Sequence, residues 1–237
     1  MGEDRAKLPR KSSAGDVDAF LRKVAATPAA KMSGVRGRLI FAMDATASRE
    51  PTWDQACQLQ GEMFQETAAL GGLDVQLCYY RGFNEFQASP WSSNADELLQ
   101  RMSRVFCAAG QTQIGKVLRH AVREAKARKV NALVFVGDCM EEDVDELGRW
   151  AGELGLLGVP AFLFQEGHDS IAERGFQHVA RLTNGAYCHF DAGSAQQLKD
   201  LLSAVAVYAA GGHRALERFG ERRGGLVPQL THQIGKA

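Results

Sequence analysis

Two short apolar runs, each closing on an aspartate, constrain this chain most. Arg38-Leu-Ile-Phe-Ala-Met43 runs straight into Asp44, and Asn131-Ala-Leu-Val-Phe-Val-Gly137 into Asp138. Neither run alternates polar with apolar residues, so each reads as a strand covered on both faces, the condition of a parallel sheet. Further strands are expected at Asp74 to Tyr80, Pro160 to Phe164 and Ala186 to Phe190. The alternating aromatics of Arg81-Gly-Phe-Asn-Glu-Phe-Gln87 predict an antiparallel edge strand reached through a tight turn. Helical periodicity falls between the strands. It runs from Pro51 to a stop at Gly71-Gly72, from Asn94 to about Val105, and from about Gln113 to Arg128. It returns at Val144 to Leu154, Ile171 to Thr183 and Ala195 to Ala209. Strands alternating with helices require right-handed crossovers and an α/β sheet with helices on both faces.

At 237 residues and 45% hydrophobic, the chain has the size of one domain with tails. The basic and acidic residues balance, yet their distribution is uneven. Residues 1–38 carry nine Lys/Arg against four Asp/Glu, and 214–237 carry five against two, so the middle is acidic. That sign argues against a nucleic-acid-binding core. The expected organisation is a basic N-terminal extension over 1–36 with a short amphipathic helix at Asp16 to Ala26, an α/β domain over 37–210, and a basic tail over 211–237. Its basic ends read as solvated tails. The longest apolar stretch, Leu201 to Ala210, is about half of the ~20 residues a membrane span needs, so no span is expected. The charged start, Met-Gly-Glu-Asp-Arg, does not read as a secretory signal. Five cysteines, Cys57, Cys78, Cys107, Cys139 and Cys188, include no CxxC pair and read as reduced thiols of a cytoplasmic protein.

In an open α/β sheet, ligands bind beyond the carboxyl ends of the strands. There Asp44 opens Asp44-Ala45-Thr46-Ala47-Ser48, a carboxylate followed at alternate positions by two hydroxyls. In a loop still extended from the strand, that spacing turns the three oxygens to one side, a set suited to a hard divalent cation such as Mg2+. Thr112 supplies another hydroxyl just before a helix, to cap that helix or to reach a metal. Asp138 supplies a second carboxylate, in a metal site or in a helix-initiating turn.

With these residues the chain resembles the von Willebrand factor type A family. Its metal-ion-dependent adhesion site is written Asp-x-Ser-x-Ser, then a distant Thr, then a distant Asp. The matching set here is Asp44-x-Thr46-x-Ser48, Thr112 and Asp138. Thr46 stands where Ser is usual and keeps the hydroxyl; Cys139 stands where Gly usually follows the last Asp. The resemblance spans roughly Gly37 to Ala210. It implies a Rossmann-like, doubly wound, mostly parallel six-stranded sheet with one antiparallel edge strand and helices on both faces. It also implies one Mg2+ or Mn2+ at the top of that sheet, bound directly by Ser and Thr oxygens and often through water by the aspartates. An under-neutralised ion leaves a position for a partner's carboxylate. The implied function is metal-dependent protein binding without catalysis, in an intracellular assembly of the kind that includes chaperone-like ATPases.

Three other readings compete. Gly110-Gln-Thr-Gln-Ile-Gly115-Lys116-Val117 matches most of a phosphate loop, but Val117 replaces the hydroxyl that would hold Mg2+. Cys139 follows a central strand and would need His168 or His189 as base to act as a nucleophile. A metal-free scaffold domain is the third. Arg49, Glu50, Trp53, Phe83, Asn84, Gln111, Gln113 and Glu141 flank the metal loops and are expected at the rim, with Phe83, Phe86 and Trp91 as exposed aromatic candidates.

Overall fold

Gly37–Asp44 forms β1, and every one of its residues is buried. The reason is its place in a six-stranded sheet of order β3-β2-β1-β4-β5-β6. The other strands are β2 (Leu73–Arg81), β3 (Glu85–Ala88), β4 (Ala132–Gly137), β5 (Ala161–Glu166) and β6 (Ala186–Phe190). All neighbours run parallel except β2 and β3, whose antiparallel pairing makes β3 an edge strand. The computed structural model describes residues 19–20, 22–24, 36–53, 73–190, 200 and 202–210. The expected helix from Pro51 to Leu70 beyond Trp53, its Gly71-Gly72 stop, the start of the Ala195 helix and most of both tails lie outside them.

Because side chains alternate across a strand, the apolar runs feed two cores. Leu39, Phe41 and Met43 of β1 enter one core, with Val134 and Val136 of β4 and Phe162 and Phe164 of β5. Ile40 and Ala42 enter the other, with Leu133, Phe135 and Leu163. The first core is covered by α1 (Ala95–Met102) through Leu98 and Met102, and by the helical residues 202–210. Phe20 and Val24, from the helical segment of the N-terminal extension, join it; the Phe20 ring lies 5.2 Å from that of Phe164. The second core is covered by α2 (Ile114–Ala127), α3 (Val144–Leu156) and α4 (Ser170–Leu182).

The helix starts follow the local chemistry. Asn94, Asp143 and Asp169 each accept two backbone N–H groups of the first turn that follows. Helix α1 stops at Met102 rather than near Val105, because the chain unwinds through turns at Ser103 and Arg104 that drop Val105 into the core. Pro51 does not open a helix directly; it sits within a 3-10 turn, Ala47–Thr52. Among the described residues no helix is long and apolar enough to cross a membrane.

Candidate metal centre

The chain leaves β1 toward β2 on one side of the sheet and β4 toward β5 on the other. The crevice between the carboxyl ends of β1 and β4 is therefore the switch point at which α/β sheets take ligands. Asp44 ends β1, and Asp138 directly follows β4. Asp44 is 0% exposed. Its Oδ1 accepts the Thr46 backbone N–H at 2.7 Å, and its Oδ2 accepts the Tyr80 hydroxyl at 2.9 Å. Tyr80 stands there because the register of β2 sets it beside Asp44, and its ring stacks on Phe135 at 6.2 Å. Burial, which disfavours the charged form, pushes the Asp44 carboxyl up to about 6; the Thr46 and Tyr80 bonds pull it down and Asp138 repels it further.

One oxygen each of Asp44 and Asp138 and the sulfur of Cys139 lie within 4.8 Å of one another. Oδ1 of Asp138 is buried and accepts no hydrogen bond among the described residues. A buried carboxylate oxygen without a donor is costly, and a cation offsets that cost. The pair thus fits a divalent ion in both charge and orphaned valence.

The hydroxyl-bearing residues reach the crevice by a different path from the extended loop expected. Thr46 is extended, with φ −74° and ψ 163°, but the 3-10 turn then curls the chain and brings the Ser48 hydroxyl to 3.0 Å from that of Thr46. Thr112 sits on a second loop laid against the first, where Ala108 N–H donates to the Ala45 carbonyl at 3.0 Å. Its hydroxyl donates to Glu142 Oε2 at 2.5 Å and accepts the Glu141 N–H at 2.9 Å. Thr112 makes no capping bond to α2; its hydroxyl is held between Glu141 and Glu142. Glu142 assumes the capping role on α2, accepting the Gly115 N–H at 3.2 Å. The structure therefore brings Asp44 to Asp138 and Thr46 to Ser48, and ties Thr112 to the residues that follow Asp138. Sequence reasoning missed Tyr80 and Glu142, whose roles depend on register and on a loop contact 30 residues apart.

Several rim expectations need correction. Glu50, Phe83, Asn84, Gln111 and Glu141 are exposed as expected. Arg49 is 1% exposed and forms an ion pair with Glu166; burial lowers its affinity for its proton, and the charges of Asp138 and Asp44 support the guanidinium. Trp53 is buried in the core, and Gln113 is buried because its Nε2 donates to the Arg81 and Gly82 carbonyls. Of the aromatic candidates, Phe83 is 77% exposed, whereas Phe86 packs on His120 and Trp91 beneath the Arg38 guanidinium.

Gly110 fixes the position of the Thr112 loop. A β-carbon there would lie 2.0 Å from the Gly82 carbonyl oxygen, which also accepts the Gln111 N–H. Gly110→Ala must push two backbones apart, and we expect a loss of about 1–3 kcal/mol, the usual range for overpacking. Urea unfolding measures it; an unchanged midpoint would show that the two loops part freely.

The competing sites have different geometry. Lys116 lies inside α2 and donates to the Asn84 carbonyl at 3.1 Å and to Gln113 Oε1 at 2.7 Å, and Gly110 follows a loop rather than a strand. Burial, then Asp138 and Asp44, push the Cys139 thiol up to about 12, the reverse of what a nucleophilic thiol needs. His168 and His189 stack on each other at 4.6 Å beside β5 and β6.

Sheet order, the antiparallel edge and the paired strand-end aspartates together define the von Willebrand factor type A fold, and the comparisons with solved structures agree. The SpRpn10 VWA domain is 17% identical with a TM-score of 0.57, the match covering 71% of this chain and 94% of that one. A von Willebrand factor type A protein from Catenulispora acidiphila is 13% identical with a TM-score of 0.57, covering 72% of this chain and 43% of that one. The D319A mutant of the PilB minor pilin from Streptococcus sanguinis is 9% identical with a TM-score of 0.59, covering 83% and 65%. No protein-family model and no curated relative matches the sequence.

Proposed function

We propose that this chain is a protein-binding module that depends on a divalent metal, Mg2+ or Mn2+, held by Asp44, Thr46, Ser48, Thr112 and Asp138. The observation that carries this reading is the convergence of Asp44 and Asp138 at the switch point, with a buried Asp138 oxygen that accepts no hydrogen bond among the described residues. The bound ion supplies a positive centre for a carboxylate from the partner. Around it, Tyr80 and the Thr46 N–H orient Asp44, and Glu142 keeps the Thr112 loop closed on the β4 side. Recognition without bond-breaking is the role that the family resemblance implies for such a centre. An intracellular multiprotein assembly, such as one built around a chaperone-like ATPase, is the setting that the family resemblance implies.

Thermal unfolding with increasing Mg2+ or Mn2+ tests the metal. At 100 times the dissociation constant the ion adds about 2.7 kcal/mol, and the melting temperature should rise by roughly 5–10 °C. Asp138→Asn should abolish the rise, and capture of a partner from cell extract should be lost both in this variant and with chelator. A flat wild-type titration up to millimolar metal would favour the metal-free scaffold.

A further inference from the structure

We propose that Cys139 is a ligand of the same centre, and that its sulfur gives the site a preference for a borderline transition cation, Zn2+ above all, over Mg2+. This rests on the reading of Asp44 and Asp138 as a metal pair and adds the class of ion. Its basis is the position of the thiol: Sγ of Cys139 lies within 4.8 Å of an oxygen from each aspartate, and those two aspartates come from different strand ends. An ion bound at about 2.0–2.2 Å to carboxylate oxygen and about 2.3 Å to sulfur in tetrahedral geometry holds its donors roughly 3.5 Å apart, so these three groups, within 4.8 Å of one another, close in on the ion as it binds. Thiolate ligands select Zn2+ and its neighbours, whereas Mg2+ takes oxygen and sheds water reluctantly.

Three further observations support the assignment. The buried, undonated Oδ1 of Asp138 belongs to the residue next to the thiol in the chain, so one loop offers both hard and soft donors. Arg49, whose buried guanidinium is supported by Asp138 and Asp44, also pairs with Glu166, so three carboxylates share this one cation and the cluster keeps an excess of negative charge for an ion. Of the other three described thiols, Cys78 and Cys188 are buried in the two hydrophobic cores and Cys107 packs against the first of them, which leaves Cys139 as the described thiol grouped with carboxylates in this way. On coordination the thiol proton passes to solvent, and the sulfur binds the ion as thiolate.

The test uses the reduced full chain stripped of metal, with Co2+ as probe and Zn2+ as competitor. Wild type should develop the near-ultraviolet sulfur-to-cobalt charge-transfer band, and Zn2+ should bleach it. The band should be absent in Cys139→Ser and Cys139→Ala and weakened in Asp138→Asn. Loss of even an outer-shell partner weakens metal binding by about 10–100-fold, so both Cys139 variants should bind Zn2+ at least about tenfold more weakly. Their Mg2+-dependent thermal shift should persist, which also shows that they fold. A band that survives in the Cys139 variants, or unchanged Zn2+ affinity beside an intact Mg2+ shift, overturns the thiol ligand and leaves the metal-dependent module standing. Absence of any wild-type response to Co2+, Zn2+ or Mg2+ overturns both.

Discussion

Asp44→Asn should make the metal-free protein more stable than the wild type at about pH 7.5, while erasing its response to Mg2+. In the unfolded chain Asp44 has an ordinary carboxyl of about 3.9, whereas in the fold burial raises it to about 6. Below the unfolded value both states hold the proton, and Asp44 leaves stability unchanged. Between the two values the folded state binds the proton more tightly, so stability falls as pH rises. Above about 6 the whole penalty is present, about 2–3 kcal/mol for a shift of this size. Asparagine has no proton to lose, and its amide can still accept the Thr46 N–H and donate to the Tyr80 hydroxyl oxygen. Denaturant unfolding in chelator across that pH range should therefore show the wild type declining and Asp44→Asn flat, the two converging in acid. With saturating Mg2+ the order should reverse, since only the wild type gains from the ion. A wild-type curve with no decline would mean that the buried carboxylate carries no such stress.

Phe135→Ala should cost about 3–5 kcal/mol, the usual consequence of emptying a buried aromatic site. Phe135 is 1% exposed, meets Phe176 edge-on at 5.4 Å, stacks on Tyr80, and covers Gly137, where a β-carbon would lie 2.8 Å from its ring. For a chain of this length, a loss of that size lowers the melting temperature by roughly 10 °C. The effect should extend to the metal centre. Tyr80 donates to Asp44, and with its stacking partner gone the donor is held less firmly. Mg2+ affinity should weaken in the still-folded variant, although Phe135 is not among the metal donors. Denaturant midpoints and Mg2+ titrations at low temperature separate the two effects. Lost stability with unchanged affinity would mean that the register of β2 alone positions Tyr80.

Much of the fold was legible because burial on both faces leaves a mark in the chain. Gly37–Asp44 and Ala132–Gly137 contain almost no polar side chain, and helix periodicity with Asn94, Asp143 and Asp169 as caps marks the elements between. Arg49 shows where that legibility stops. A guanidinium after a DxTxS loop looks like a rim residue, and only its burial against Glu166, 117 positions later, makes it internal. Thr112 is similar: its hydroxyl is engaged by a carboxylate from the loop after β4, and nothing near it in the chain announces that partner.

By itself the order of residues determined the alternation of strands and helices, the aspartates at two strand ends and the hydroxyls that follow one of them. These are local: they depend on periodicity and on which side chains tolerate burial. Tertiary structure alone decided that β1 and β4 would be neighbours, that Tyr80 would donate to Asp44, and that the sulfur of Cys139 would join two carboxylates. Those contacts form between distant segments through strand register and loop packing, and a change of one residue in register would turn every side chain of a strand to the opposite face.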